Sequence, residues 1–231
     1  MIFITGDTHG NLDYKKLNVD NFPIQKKLTK RDYVIVVGDM GVIWDDNDEI
    51  LMEYYNSKKF TTLFIDGNHE NFDKLNNYKI EKWNGGNVHK ISDSIIHLMR
   101  GQIFEIEGLK FFTFGGANSI DKKYRKEGIS WWPEELPNEE EYLSAYKNLE
   151  KCDYKVDIVL THSAPYSMLY KINSRIKGNR LNKELDNIEK KLDYKYWFLG
   201  HYHLDMNLSD KIIILYNDII KVDNQLKIER Y

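Results

Sequence analysis

Eight side chains of this sequence have the types and the spacing to do chemistry together. They fall in five short polar clusters: Asp7-Thr8-His9, Gly38-Asp39-Met40-Gly41, Gly67-Asn68-His69-Glu70, Thr161-His162 and Gly200-His201-Tyr202-His203. The clusters hold five of the seven histidines, with two aspartates and an asparagine. Imidazole nitrogens, carboxylates and a carboxamide oxygen make a ligand set for a pair of divalent metals. Each cluster alone has a plainer reading. Asp-x-His is a turn with an exposed histidine, Gly-Asp before Gly is a common turn, and a single His162 is a core histidine. In Gly-Asn-His-Glu, Asn68 could cap a helix with Glu70 in its first turn. Five such turns sharing one ligand chemistry are not what turn formation alone produces.

The elements that must position these residues are short apolar runs: Ile2-Phe3-Ile4, Tyr33–Val37, Leu63-Phe64-Ile65, Val156–Leu160 and Trp197-Phe198-Leu199. Such runs, rich in β-branched and aromatic residues, read as buried strands. Ligands gather beyond the carboxyl ends of strands in open α/β sheets, and each cluster stands at such an end. The first part alternates: strand 2–6, a helix near Leu12–Asp20, strand 33–38, helix 47–58, strand 61–66 and a short helix from Asn71. That alternation predicts a parallel sheet covered by helices. His89–Ser92, Ser94–Met99, Gln102–Ile106 and Lys110–Gly115 then read as an antiparallel meander that starts a second sheet.

Residues 117–137 lack periodicity, and the adjacent Trp131 and Trp132 point to an ordered loop. A helix capped by Asn138, with Glu139, Glu140 and Glu141 in its first turn, runs to about Lys151. Strand 156–161, an amphipathic helix over about Leu181–Leu192 and strand 195–200 follow. Lys211–Tyr216, Ile219–Val222 and Gln225–Glu229 read as an antiparallel finish. No repeat, low-complexity tract or linker divides the chain, which predicts one domain over 1–231.

Hydrophobic content of 42% and charged content of 30% suit a soluble globular protein rather than a disordered or membrane one. Lys+Arg 33 against Asp+Glu 36 weighs against a strongly nucleic-acid-binding surface, although a local basic patch keeps nucleic acid open as a partner. The first strand leaves no room for a signal peptide, no apolar stretch approaches the roughly 20 residues that cross a bilayer, and Cys152 has no partner cysteine. A cytoplasmic protein with no membrane partner is expected.

In their order, Asp-x-His, Gly-Asp, Gly-Asn-His-Glu, His and Gly-His-x-His resemble the pattern of the calcineurin-like metallophosphoesterase family, from Asp7 to His203. The resemblance implies an α/β fold: two mixed β-sheets packed face to face with flanking helices, a four-layer sandwich. It implies one metal held by Asp7, His9, Asp39 and His203, and a second held by Asp39, Asn68, His162 and His201. Asp39 would bridge, as two cations about 3.5–4 Å apart require an anion between them. A bridging hydroxide would attack phosphorus in line. The mixed shell suits manganese first, with iron, zinc, cobalt or nickel as alternatives, over magnesium or calcium. His69, not a ligand in the family pattern, is the implied catalytic residue. It would protonate the leaving oxygen or stabilise charge on the phosphoryl group.

Two departures from the pattern bear on function. Where many family phosphatases carry a second Asp that orients the catalytic histidine, this chain has Val42, with Asp45 or Asp66 as possible substitutes. Where the protein serine/threonine phosphatases carry Arg before Gly-Asn-His-Glu, it has Asp66, which disfavours that branch. The segment from Gly115 to Arg125 and the following tryptophans are the candidates for substrate contact. Arg125 would grip phosphate, and Trp131 or Trp132 would stack on a base. The plainer reading is a surface loop pinned by tryptophan packing. His89 and His97, outside every motif, read as structural. The expected activity is hydrolysis of phosphate mono- or diesters in a small phosphorylated substrate, a nucleotide among the candidates. The alternatives are a nuclease of the same superfamily, which would need a basic groove or a second domain, and a non-catalytic binding scaffold, against which the complete ligand set stands.

Overall fold

In the first strand, β1 (Ile2–Thr5), Ile2 and Ile4 join one hydrophobic core while Phe3 joins another. The division continues in β2 (Tyr33–Val37), where Ile35 and Val37 face one way and Val34 and Val36 the other. It recurs in β3 (Thr61–Ile65), which separates Leu63 and Ile65 from Phe64. A period of two with apolar residues in both phases is what a strand buried on both faces requires. The three strands pair in parallel, Ile4 beside Ile35 and Ile35 beside Leu63.

The computed structural model describes residues 1–45 and 48–231. Between β2 and β3 lies α1 (Asp48–Asn56); Asn47, where that helix was expected to start, is outside the described residues. After β3 come α2 (Phe72–Leu75), β4 (Ile80–Trp83), β5 (Gly86–Ser92), β6 (Ile95–Leu98), β7 (Gln102–Ile106) and β8 (Leu109–Phe114). The rest is α3 (Glu139–Lys151), β9 (Ile158–Thr161), α4 (Tyr166–Ile172), α5 (Arg180–Glu189), β10 (Tyr196–Leu199), β11 (Met206–Asn207), β12 (Ile212–Ile214), β13 (Ile219–Val222) and β14 (Ile228–Arg230). One sheet runs β14-β13-β1-β2-β3-β6-β5-β4 and the other β11-β12-β10-β9-β8-β7; both mix parallel and antiparallel pairs.

The central core lies between the sheets, where Ile4, Ile35 and Leu63 of one meet Phe111, Ile158, Leu160 and Phe198 of the other. On the outer face of the first sheet, Val34 and Phe64 pack with Tyr55 of α1. On the outer face of the second, Phe112, Val159 and Trp197 pack with Leu149 of α3 and Leu185 of α5. The result is the expected four-layer α/β sandwich. Among the described residues no helix is long and apolar enough to cross a membrane.

Three local expectations are corrected. The helix near Leu12–Asp20 is instead a single 3₁₀ turn, Tyr14–Leu17, followed by another at Pro23–Lys27. Side chains take the carbonyls that a longer helix would need: Asn21 Nδ2 donates to Lys15 O and Gln25 Nε2 to Leu17 O. The meander does not start the second sheet as a unit. Its first hairpin, β5–β6, extends the first sheet, because β6 pairs in parallel with β3, and only β7–β8 open the second. The closing strands are likewise shared: β12 runs parallel to β10, while β13 and β14 complete the first sheet beside β1.

Candidate metal centre

All five polar clusters leave the carboxyl ends of strands that are neighbours in space. Asp7, His9, Asp39, Asn68 and His69 follow β1, β2 and β3, adjacent in the first sheet; His162, His201 and His203 follow β9 and β10, adjacent in the second. The loops are stitched together before any ligand chemistry is considered. Thr8 and His9 donate their backbone N–H groups to Asp39 O at 3.1 and 2.8 Å. Across the sandwich, the His201 N–H lies 3.1 Å from Asp7 Oδ2. The motif glycines are needed for close approach. A Cβ on Gly67 would fall 2.0 Å from Asp39 Oδ1, and one on Gly200 2.1 Å from Asp7 Oδ1. Of the nine non-glycine residues with positive φ among those described, four are here: His9 (42°), Asp39 (48°), His201 (70°) and His203 (51°). Backbone strain of this kind persists where surrounding structure over-determines it and concentrates at functional sites.

The side chains converge in two groups, Asp7 with His9 and His203, and Asp39 with His162 and His201; within each, one ligand atom per residue lies within 4.8 Å of the others. Asp39 stands between the groups, Oδ2 being 3.4 Å from His9 Nε2 and 3.2 Å from His162 Nε2. Its other oxygen accepts the His69 N–H at 2.6 Å. Asp7, Asp39, Asn68 and His162 are buried, and His203 is half exposed, its ring stacked on Tyr216 at 4.8 Å.

Two buried polar atoms here make no hydrogen bond: Asn68 Oδ1 and His162 Nε2. Leaving Asn68 Oδ1 unpaired costs about 1–3 kcal/mol, while His162 Nε2 faces only the Asp39 carboxylate, 3.2 Å away; both are atoms that could ligate a cation. Their partners fix that orientation. His162 Nδ1 lies 2.8 Å from Val37 O and Asn68 Nδ2 donates to Ser119 Oγ at 3.0 Å, which turn Nε2 and Oδ1 inward. Burial works against a charged His162, yet Asp39 and Asp7 overcome it and push its pKa up to about 10, so a cation bound there would displace the Nε2 proton from the same carboxylate surroundings. Burial likewise opposes a charged Asp39, but His162 and then His9 hold its carboxyl well below the usual range. Burial and the neighbouring His162 bring His201 down to about 4, leaving a neutral imidazole, the form that ligates metals. The residues present therefore fit divalent cations of the transition series.

His69 lies at the rim, its ring edge-on to His9 at 5.7 Å. Arg125 is brought to it: Nη1 is 3.0 Å from Nδ1 and Nη2 3.3 Å from Nε2. The guanidinium is anchored by Asp121 Oδ2 at 2.8 Å and Ser130 O at 3.1 Å. Of the two proposed orienting carboxylates, Asp66 is committed elsewhere, to Arg100 and His97, and Val42 is a buried core residue. Asp45 lines a cavity that His69 also lines. The structure does not bring Trp132 to the site. It is only 2% exposed, donates its indole N–H to Asp73 Oδ2 at 2.8 Å and packs edge-on against Trp44, so it pins the loop, as the plainer reading had it. Trp131 is half-buried, with Lys122 Nζ 4.7 Å over its ring. His89 and His97 are buried side by side and away from the two ligand groups, in the structural role expected of them.

Sequence reasoning missed four supporting residues. Asp13 Oδ2 lies 2.7 Å from His9 Nδ1, which leaves Nε2 to face the site; its place four residues after His9 was the available signal. Lys16 donates to Gly6 O, Asp7 O and Tyr216 O, tying β1's end to the last loop. Ser119 receives Asn68 and gives its own N–H to Glu135 Oε2 at 2.9 Å. Nothing in the local sequence marks Glu135, since what it holds is another loop's backbone.

Two mixed sheets face to face, with paired carboxylate–imidazole groups across one end, define a metallophosphoesterase sandwich. The chain belongs to the calcineurin-like phosphoesterase family, whose sequence model matches residues 1–205. No curated protein matches the chain. Membership implies metal-dependent hydrolysis of phosphoesters, with residues that could hold the metals in place.

Proposed function

We propose that the protein hydrolyses phosphate mono- or diesters of small phosphorylated substrates with two divalent transition metals. The observation that carries this reading is a pair of buried ligand atoms aimed inward, the unpartnered Asn68 Oδ1 and His162 Nε2, with an Asp39 carboxylate that reaches both ligand groups. Asp7, His9, Asp39 and His203 would hold one cation, and Asp39, Asn68, His162 and His201 the other. When bound, the metals would supply Lewis acidity at phosphorus and an activated water at neutral pH. Arg125 would bind the phosphoryl oxygens, its position fixed by Asp121 and Ser130. His69 would steady the charge that develops on the leaving oxygen through an N–H hydrogen bond. Since one core joins both sheets, residues 1–231 serve as one catalytic domain.

Reconstitution with manganese, followed by elemental analysis and assay on an aryl phosphate, tests the reading. Two metals per chain and activity abolished by Asp39→Asn are expected. One metal or fewer at saturation would remove the dinuclear claim, and metal uptake without hydrolysis of any phosphate ester would favour a binding scaffold.

A further inference from the structure

Beside the metal centre, on the His9 and His69 side, opens a groove of about 520 Å³ that none of the roles above uses. That volume is within the range of small-molecule sites, about 300–1,000 Å³. Its inner end is formed by His9 and His69 and its wall by Leu12, Trp44, Ile50 and Leu51, with Tyr14 and Tyr54 behind. Leu12 and Ile50 are 73% and 70% exposed, large apolar side chains left open to water beside a polar centre.

The wall is built rather than incidental. Asp48 Oδ1 accepts the backbone N–H groups of Trp44 and Asp45 at 2.6 and 2.9 Å, and Trp44 is braced edge-on by the buried Trp132, ring centroids 5.6 Å apart. Tyr54 is held by Asn18 Oδ1 at 2.8 Å and by a 4.6 Å edge contact with Tyr14. The lining decides what could occupy the groove. No lysine or arginine is among its described lining residues, and Asp48 is committed to those two N–H groups and to Lys74 Nζ at 3.1 Å. A further phosphate would find no cation lining the groove, whereas an uncharged ring would meet an indole, two phenols and aliphatic side chains.

We propose that this groove binds the organic part of the substrate and takes an uncharged aromatic or apolar group. The preferred substrate is then a phosphate ester of such an alcohol, its phosphoryl group at the metal centre and its ring against Trp44, Leu12 and Ile50. The proposal rests on the phosphoesterase reading for the placement of the phosphoryl group.

Ile50→Asp and Leu12→Asp alter exposed positions and so leave the core intact. For each variant and the unaltered protein, kcat/KM is measured with 1-naphthyl phosphate and with methyl phosphate. Taking the ratio between the two esters across variants cancels their different leaving-group chemistry. A fall of about tenfold or more in the naphthyl-to-methyl ratio is expected for Ile50→Asp, as for loss of hydrophobic complementarity in a pocket. An unmoved ratio in both variants would overturn the proposal. If the manganese-loaded protein hydrolyses neither ester nor the diester bis(p-nitrophenyl) phosphate, the phosphoesterase reading fails, and the groove is judged by binding of 1-naphthol followed through the Ile50 methyl resonances. Saturable shifts that Leu12→Asp weakens would support the groove; no saturable shift would overturn it.

Discussion

Arg125 lies against His69 with its guanidinium nitrogens facing both ring nitrogens, the shorter contact being 3.0 Å to Nδ1. Arginine can only donate, so the ring nitrogen that it bonds must be unprotonated, and a neutral imidazole offers one such nitrogen. A carboxylate partner would raise the histidine's pKa. Here burial, with Arg125 and His9 adding to it against the pull of Asp39, holds His69 below its ordinary value. His69 is thus neutral at pH 7 with one ring N–H to donate, and the positive charge at the rim is Arg125.

From that pairing, Arg125→Met should move the His69 pKa upward in the metal-free protein, read by NMR titration of its ring. In the loaded enzyme it should lower kcat/KM by about ten- to a hundredfold, the weight of one lost hydrogen bond to a charged group. An unmoved His69 titration would show that the guanidinium does not act on the ring.

For His69 itself, replacement by alanine should reduce kcat by about 10²–10³-fold with an alkyl phosphate and by much less with p-nitrophenyl phosphate, whose leaving group needs little stabilisation of its charge. Equal losses with both would take the leaving-group role from His69. Asp39→Asn should be more severe than either, since it disturbs both ligand groups.

Asp13 supports His9 directly and also meets the Tyr216 hydroxyl, so its replacement tests a contact behind the ligand rather than the ligand itself. Asp13→Ala should weaken manganese binding by about 10–100-fold, measured by titration calorimetry on the metal-free protein, while Asp13→Asn, which keeps an acceptor oxygen, should lose less. Unchanged affinity in both would make the 2.7 Å contact irrelevant to the ligand's orientation.

Asp66 and Arg100 form a buried ion pair, Oδ2 lying 2.7 Å from Nε and 2.5 Å from Nη2, and Arg100 continues to Glu134 O at 2.7 Å. Burial would raise the Asp66 pKa, but Arg100 and then His97 hold it well below the usual carboxylate range. A group with a depressed folded pKa contributes stability that is complete above its unfolded value, about 3.9, and is lost as pH falls below that. Asp66→Asn should therefore cost about 3 kcal/mol at pH 7, where the buried Arg100 keeps only the partly exposed Glu141, 3.2 Å from Nη1, as a charged partner. In urea unfolding the gap to the unaltered protein should narrow below about pH 4. A gap independent of pH would mean that charge is not what Asp66 supplies.

How much of this was legible in the sequence follows from the range over which each feature is decided. The two candidate ligand groups were readable because each strand's apolar run ends where a polar cluster begins, so a local pattern carried a global arrangement. The Asn138–Glu141 capping box was readable for the same reason. Which sheet the β5–β6 hairpin joins was not, since that depends on β6 lying beside β3 rather than on the hairpin's own alternation. Ser119 and Glu135 were hidden because they act on Asn68 from another loop. Arg125 was readable as a charge near the motifs, but its partner was not.

The adjacent tryptophans were one undivided expectation that the structure splits, and the split is testable. Trp132 is enclosed between Trp44 and Asp73, so Trp132→Ala should lower stability by about 3–5 kcal/mol, as for other buried tryptophans. Because it braces Trp44, it should also slow the hydrolysis of esters that use the groove. Trp131 is half-buried under Lys122, and Trp131→Ala should cost only the roughly 0.5–1 kcal/mol of an exposed cation–π contact. With one face taken by Lys122, it should leave the ratio of nucleotide to methyl phosphate hydrolysis unmoved. A five- to hundredfold loss confined to the nucleotide, the size of a lost base–aromatic stack of about 1–3 kcal/mol, would instead place the base on Trp131. The organic part of the substrate would then lie on the Arg125 side of His69 and not in the groove beside Trp44.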